Sequence, residues 1–290
     1  MTDRDTAPIG RRGLLATLGA AALGAAAGAT PAGAAPASLP LTAQTTEGPY
    51  YLDVGKMRAD ITEGLEGVPL DVRFTVRDTA GKPLPKLRVD LWHCDAQGRY
   101  SGFGGQGDDR AGGFEGKTFL RGSQITGLDG TAGFTTVYPG WYAGRTTHIH
   151  MKVFNGTRAV LTSQFFLPDA LSEFLYTQVA LYQRARVRDT LNSVDGIALK
   201  AGDTVLGAVR EERQRYVATL ALVVDPAASP VVDRPPRRGE LPSPEGIRGG
   251  PGMASGLQGM QSPGGAGPMR PRAPEGAARV KALVPPRTAG

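Results

Sequence analysis

The stretch Tyr138–Val153, with the sequence YPGWYAGRTTHIHMKV, contains two of the three histidines in this 290-residue chain. Its second half is apolar and rich in β-branched residues, which predicts a β-strand. Side chains two positions apart lie on the same face of a strand. We therefore expect His148 and His150 to project together from one face and Ile149 to pack on the other. Two adjacent imidazoles beside a glycine-containing loop suggest a metal site.

Tyrosines are the oxygen donors that the sequence offers to such a site. Asp and Glu are sparse near the histidines, whereas Tyr138 and Tyr142 precede them and Tyr100 follows another glycine-containing turn. Two imidazoles alone do not complete the coordination of a mononuclear metal. Phenolate oxygen is a hard, negatively charged ligand, so two phenolates favour Fe(III) over Zn(II). A zinc hydrolase built on His148 and His150, the competing interpretation, lacks a well-placed carboxylate.

The alternation of apolar and polar residues predicts an all-β domain. Between about residues 41 and 225 most segments have a period of two, which is typical of half-buried strands. We expect a β-sandwich core of mainly antiparallel strands with long loops. The two clearest segments are expected to be antiparallel neighbours, and they carry the apolar residues Val72, Phe74, Val76, Leu87, Val89 and Leu91.

A hairpin, one helix and a closing strand complete the predicted fold. The histidine strand, Thr147–Asn155, and residues 158–166 are expected to pair across a tight turn. One helix, from about Asp169 to Val187, follows these metal-site strands, because its apolar residues recur at helical spacing. Residues 218–224 predict the closing strand.

Residues 1–37 predict an export signal. Arg11 and Arg12 precede an Ala/Gly/Leu run from Gly13 to Ala29, and small residues follow it. This order is typical of a secretory signal, and the paired arginines favour the twin-arginine type. The run is short for a membrane span and dominated by Ala and Gly, which disfavours a transmembrane anchor. We therefore expect an exported protein that acts in the periplasm, in the cell envelope or outside the cell.

Residues 226–290 predict a disordered basic tail, which leaves residues 38–225 as the folded domain. The tail is crowded with Pro, Gly, Ala and Arg and cannot bury enough apolar surface to offset the entropy of ordering. Much of the formal net charge of +6 belongs to the tail and the signal, so it says little about the folded part. A solubilising extension is favoured over a tail that binds the cell envelope or nucleic acid.

The single cysteine, Cys94, excludes an internal disulfide and a Cys-rich zinc or iron–sulfur site. It lies in the apolar run LWHC, where we expect it to be a buried small hydrophobe.

Four motifs occur in the order found in the intradiol ring-cleavage dioxygenases, and the chain resembles that family on their account. They cover most of the predicted domain, and such an ordered set is far more specific than His-Ile-His alone. The resemblance implies mononuclear non-haem Fe(III) and cleavage of a catechol-type ring by O2 between its hydroxylated carbons, giving a cis,cis-muconate-type diacid. The motifs are TEGPYY (46–51), VDLWHCDAQGRYSGF (89–103), FLRGSQITGLDGTAGFTTVYPGWYAGRTTHIHMKVF (119–154) and TSQFFLP (162–168).

The resemblance also implies roles for single residues. Tyr142 would be the ligand that leaves the metal when a catechol binds, and Arg145 would stabilise negative charge on the ring with Gln164 as a hydrogen-bonding helper. His93 is not at a ligand position and is expected to be structural. The implied metal ligands are Tyr100, Tyr142, His148 and His150, and the implied substrate-bordering residues are Gly48, Pro49 and Tyr50.

One loop departs from the family pattern. In protocatechuate-type enzymes the interval between the axial tyrosine and the first histidine is longer than residues 143–147 of this chain. Tyr142 is the better candidate for the axial ligand, and Tyr138 is the alternative. The linker before TEGPYY is too short for the helical N-terminal dimerisation segment of catechol 1,2-dioxygenases, so the core is more like a protocatechuate-type subunit. The substituent on the substrate ring does not follow from the sequence.

A second class of function competes with the enzyme: an exported β-sandwich binding module with a vestigial metal site. Against it, the polar positions of the family site all carry the expected residue types. The enzyme interpretation implies a catechol-type small molecule and O2 as partners and no nucleic acid. A homo-oligomer, and attachment to the envelope through the tail or an uncleaved signal, are left open by the sequence.

Overall fold

The computed structural model describes residues 38–106, 113–228 and 274–283. The predicted export signal and most of the predicted tail lie outside the described residues. In chain order the strands are β1 (Pro69–Arg77), β2 (Arg88–Trp92), β3 (Arg121–Ile125), β4 (Thr131–Val137), β5 (His148–Asn155), β6 (Arg158–Phe166), β7 (Ala208–Glu212) and β8 (Arg215–Val223). The helices are α1 (Asp169–Gln178), α2 (Gly196–Ala201) and α3 (Gly276–Leu283).

The strands form two four-stranded sheets, so the predicted all-β sandwich is confirmed. The first sheet has the order β4-β1-β8-β7 and the second the order β3-β2-β5-β6. All neighbouring pairs are antiparallel except β1 and β8, which are parallel. The predicted hairpin of β5 and β6 and the closing strand β8 are both present.

The predicted pairing of the first two strands is wrong. β1 and β2 belong to opposite sheets, and their apolar residues meet across the core instead of side by side. Val72 and Phe74 on β1 and Val89 and Leu91 on β2 are almost fully buried there. Period-two alternation reports which face of a strand is buried, but it is the same for strands that pair and for strands that face each other.

The second sheet is buried on both faces. Ile149 and Met151 of β5 point into the sandwich core, as predicted for Ile149, so His148, His150 and Lys152 project from the outer face. The segment of residues 42–57, here called the covering segment, lies over that face. Three hydrogen bonds connect it to the sheet. Thr45 N donates to Thr162 O at 2.9 Å, and Tyr51 Oη donates to Asp90 Oδ2 at 2.8 Å. Lys152 Nζ of the sheet donates to Glu47 Oε2 at 2.5 Å.

The predicted helix is shorter than expected. α1 ends at Gln178 because Val179 adopts an extended backbone, and a short 3-10 turn follows at 180–182. That turn buries Tyr182 completely, and its hydroxyl donates to Tyr138 O at 2.7 Å. A continued helix would lose this buried contact. Helical spacing alone could not show that Phe174, 55% exposed, does not belong to a buried stripe.

One part of the predicted disordered tail is ordered in the structure. α3 packs against α1 through Arg279, whose Nε and Nη2 donate to the two carboxylate oxygens of Glu173 at 2.8 and 2.7 Å. Arg279 Nη1 also donates to Arg188 O at 3.2 Å. The composition of residues 226–290 does not predict this short helix. The helix is attached to the domain by one arginine that forms a bidentate pair with a carboxylate, and such a contact leaves no signal in the composition. None of the helices in the described part of the chain has the length and hydropathy to cross a membrane.

We expect Arg279→Ala to lower the free energy of unfolding by about 1 kcal/mol, because it removes a bidentate, partly buried ion pair. Chemical denaturation of the full chain measures this change. Lys281→Ala, an exposed position on the same helix, is the matched control and should leave the denaturation midpoint unchanged. Equal midpoints for the parent and Arg279→Ala would show that this ion pair contributes nothing to the stability of the domain.

Candidate metal centre

Four aromatic side chains meet over the outer face of the second sheet. His148 and His150 come from β5, Tyr142 from the loop before it, and Tyr100 from the loop after β2. His148 Nε2 lies 3.1 Å from His150 Nε2 and 2.9 Å from Tyr142 Oη. The ring centre of Tyr100 lies 5.8 Å from that of Tyr142 and 6.1 Å from that of His150. The structure therefore brings all four predicted metal ligands into one cluster.

Two glycines allow the tyrosine-bearing loops to touch. Gly140 N donates to Asp95 O at 3.0 Å, and a Cβ at this glycine would collide with the backbone of Ala96. Gly98 has a φ of +80°, and a Cβ there would collide with the carbonyl of Trp141. Close backbone approach in the GRY and PGWY loops is what places their tyrosines side by side.

Both histidines are poised as neutral ligands. His148 Nδ1 donates to the Thr146 carbonyl at 2.7 Å, so its Nε2 presents a lone pair toward the cluster. Burial, reinforced by the positive charge of Arg145, lowers the pKa of His148 to about 3. Burial and the neighbouring His148 lower the pKa of His150 well below its ordinary value. At neutral pH both rings are uncharged, as metal ligation requires.

The tyrosine oxygens fit a cation of high charge. Tyr100 Oη is buried beside the Tyr142 hydroxyl and has no hydrogen-bond partner of normal geometry within the described part of the chain. Burial raises the pKa of Tyr100 and of Tyr142, so each phenol keeps its proton unless a cation lies beside its oxygen. Among the described residues no cluster of three or more His, Cys, Asp or Glu could hold a metal. A metal at this position would therefore use two imidazoles and two phenolates, a donor set that suits Fe(III).

The structure separates the other candidate residues from the cluster. The hydroxyl of Tyr138, the alternative axial ligand, hydrogen-bonds to Ser172 Oγ of α1 at 2.8 Å, whereas that of Tyr142 faces His148. Both nitrogens of His93 are engaged, with Cys94 O at 2.8 Å and Thr136 Oγ1 at 2.7 Å, as expected of a structural histidine. Cys94 is buried, which raises the pKa of its thiol and keeps it unreactive.

Arg145 and Gln164 form one hydrogen-bonded unit beside the histidines. Arg145 Nη2 donates to Gln164 Oε1 at 2.6 Å, and Gln164 Nε2 donates to Thr46 O of the covering segment at 3.0 Å. Gln164 lies directly opposite His150 in the β5–β6 pairing. The two residues that the family resemblance assigned to the substrate side of the site are thus held together and next to a predicted ligand.

Asp195 anchors this unit and was missed by the sequence analysis. Its Oδ2 accepts from Arg145 Nε at 2.8 Å and from Thr146 N at 2.9 Å, while its Oδ1 caps α2. Burial alone would raise the pKa of Asp195, but the Arg145 charge and these hydrogen bonds bring the pKa below its ordinary value. Asp195 caps a helix of six residues and lies fifty positions after Arg145 in the chain. Neither feature gives a periodic pattern from which its role could have been predicted.

The covering segment forms one wall of the cluster. Gly48 has a φ of +73°, and a Cβ at this position would lie 3.2 Å from His150 Cε1, so only glycine fits comfortably against the ring. Pro49 is exposed in the turn that follows. The ring of Tyr50 stacks on Tyr100, with centres 4.5 Å apart. These three predicted substrate-bordering residues therefore lie at the edge of the cluster.

Comparison with known proteins agrees with this geometry. A protein-family model described as Dioxygenase matches residues 46–194. Catechol 1,2-dioxygenase of Acinetobacter baylyi is 30% identical over 220 residues, which cover 67% of each chain. Hydroxyquinol 1,2-dioxygenase of Nocardioides simplex is 29% identical over 148 residues, which span 47% of that enzyme. The solved structure of an intradiol ring-cleavage dioxygenase from Tetranychus urticae superposes with a TM-score of 0.59 at 27% identity, over 67% of this chain and 98% of the other.

The match to the family model spans more than half of the chain, and the fold of the Tetranychus urticae structure is shared across almost its whole length. The likeness of the core to a protocatechuate-type subunit stays a prediction, since these comparisons do not address it. On the shared sequence and fold, the chain belongs to the intradiol ring-cleavage dioxygenase family.

Proposed function

We propose that this enzyme cleaves a catechol-type ring between its two hydroxylated carbons with O2, giving a cis,cis-muconate-type diacid. The observation that carries the proposal is the cluster of two neutral imidazoles, the buried Tyr100 and the half-buried Tyr142. Tyr100, Tyr142, His148 and His150 would hold one non-haem Fe(III). When bound, ferric iron supplies a Lewis acid that draws electron density from the catecholate and makes a ring carbon reactive toward O2.

The two tyrosines differ in a way that supports distinct roles. Tyr100 is fully buried and stacked under Tyr50, whereas Tyr142 is half-buried at the mouth of the cluster. We assign to Tyr142 Oη the acceptance of a phenolic proton from the incoming catechol, because it is the less buried of the two side chains. Tyr100, which is fully buried, stays as a ligand.

Arg145 is assigned to stabilise negative charge on the substrate. Its guanidinium is fixed between Asp195 and Gln164, so its charge needs no reorganisation as the reaction proceeds. Gln164 is the helper that holds the guanidinium toward the cluster. Gly48, Pro49 and Tyr50 would border the ring.

The substrate class is proposed from the relatives. Two matched enzymes are named for catechol and hydroxyquinol, and another, from Cupriavidus pinatubonensis, for chlorocatechol. We therefore propose catechol itself and its hydroxylated or chlorinated forms as the first compounds to test. Nucleic acid is not among the proposed partners, and the size of any homo-oligomer is to be measured in solution.

The first experiment is a visible absorption spectrum of the purified protein before and after anaerobic addition of catechol, with iron content measured on the same sample. A tyrosinate-to-iron band that shifts with catechol, followed by oxygen uptake on admission of air, is the expected result. A protein that stays colourless after ferric iron is supplied would contradict the proposal and favour a binding module with a vestigial site. Stoichiometric zinc with hydrolytic activity would favour the zinc interpretation.

Tyr142→Phe is expected to lose or strongly shift the visible band, because one phenolate donor is removed. Tyr138→Phe is the matched control: its hydroxyl faces Ser172, so the variant should keep the parental band and iron content. A band that survives in Tyr142→Phe but disappears in Tyr138→Phe would reverse the ligand assignment.

Arg145→Gln is expected to retain iron and lose turnover by about 100-fold or more, the range found when a fixed charge-stabilising group is removed. Steady-state oxygen uptake measures turnover. Arg73→Gln, a half-exposed arginine on the other sheet, should turn over like the parent. Parental turnover in Arg145→Gln would remove this residue from the catalytic scheme.

We also propose that residues 1–37 direct export by the twin-arginine route, on the strength of Arg11 and Arg12 before the weakly apolar run. Fractionation of cells that express the full chain tests this. Replacing both arginines by lysine should leave the precursor inside the cell. Unchanged export of the double variant would contradict the twin-arginine assignment. Envelope attachment would appear in the same fractionation as membrane-bound protein.

A further inference from the structure

Arg121, the first residue of β3, is a buried arginine that the proposed chemistry does not use. Only 1% of its surface is exposed. Its Nε donates to Ser101 Oγ at 2.8 Å, its Nη2 to Ser101 O at 2.8 Å and its Nη1 to Tyr50 O at 2.6 Å. All three acceptors are uncharged groups.

The charge of Arg121 has no carboxylate partner among the residues that the structure describes. Other buried arginines do have one: Arg188 pairs with Asp169 at 2.7 Å, and Arg279 with Glu173 at 2.7 Å. Burying a charge that has no partner of opposite sign is costly. A buried cation with only neutral hydrogen-bond acceptors indicates that an anion belongs nearby.

The hydrogen-bond acceptors of Arg121 belong to two neighbours of Tyr100. Ser101 is the next residue along the chain, and the ring of Tyr50 stacks on Tyr100 at 4.5 Å. The guanidinium carbon lies 6.0 Å from the centre of the Tyr100 ring. Arg121 is also in register with Trp92, which is in register with His150, so the guanidinium shares the outer face with the predicted ligands.

We infer that Arg121 is a positioning residue for Tyr100: its planar fork fixes Ser101, the next residue along the chain, and the backbone of Tyr50, whose ring stacks on Tyr100, and its charge favours the phenolate that would bind the metal. The inference rests on the proposed function, because it assigns Tyr100 as a ligand. The fork is needed for the three fixed hydrogen bonds, which a lysine cannot reproduce. The charge lowers the energy of the phenolate electrons, so it should move phenolate-to-iron absorption to shorter wavelength.

The test compares Arg121→Gln and Arg121→Lys with the parent, all loaded with ferric iron. We expect Arg121→Gln to absorb at longer wavelength and to lose iron to a chelator about tenfold faster or more, as for other residues that orient a metal ligand. Arg121→Lys should lose iron faster than the parent while keeping more of the band position. Arg88→Gln is the control, because Arg88 lies on the neighbouring strand and pairs with Asp53 and Asp90.

If folded Arg121→Gln has the band position and iron retention of the parent, the inference is overturned. A lower unfolding temperature of the metal-free variant would not rescue it, because lowered stability alone indicates only a structural role. If neither variant folds, Ser101→Ala removes the Oγ acceptor of Arg121, together with the hydrogen bond that this Oγ donates to Phe119 O at 2.6 Å, and should give a smaller shift in the same readouts. An unchanged band and unchanged retention in Ser101→Ala would then overturn the inference. A parent that neither binds iron nor is coloured would overturn the proposed function itself, together with this inference.

Discussion

The burial of Lys152 against Glu47 is the interaction on which the rest of the site depends. Both side chains are less than 10% exposed, and the cation lies 2.5 Å from the carboxylate. Breaking such a buried pair by removing one partner costs about 3–5 kcal/mol. This pair is the buried ion pair among the contacts that hold the covering segment over the outer face of the second sheet. Without that cover, His148 and His150 would be more exposed to water, and burial, the largest cause of their lowered pKa values, would weaken.

The covering segment also buries the outer row of β5 side chains and lowers the dielectric constant around them. β5 alternates between core residues and the row of His148, His150 and Lys152, and both rows are buried. Low dielectric on the outer face keeps the imidazoles neutral, strengthens the Arg145–Asp195 pair and makes an unpaired Arg121 costly. Low dielectric therefore affects the candidate ligands, Arg145, which is assigned to stabilise substrate charge, and Arg121, which is assigned to position Tyr100.

Much of the fold and the candidate cluster could be predicted from the sequence because the signals are local. The spacing of His148 and His150 on a strand, the β5–β6 hairpin and the family motifs needed no long-range information. The pairing of β1 could not be predicted, since alternation does not distinguish a neighbour from a strand across the core. Asp195 and Arg121 were missed for a related reason. Each acts through partners distant in sequence, and neither is marked by periodicity or by a motif that specifies its contacts.

The parallel pairing of β1 with β8 has a consequence for the order of folding. The sheet that carries the predicted ligands uses β2, β3, β5 and β6, all of which precede α1 in the chain, whereas the other sheet closes only when Tyr216 reaches Leu70. Pairing of such distant segments carries the larger loop-closure entropy and is slow. The sheet that carries His148 and His150 can therefore assemble during synthesis, before the first sheet is complete and packs on its inner face. The candidate ligands can thus be brought together before the core is complete.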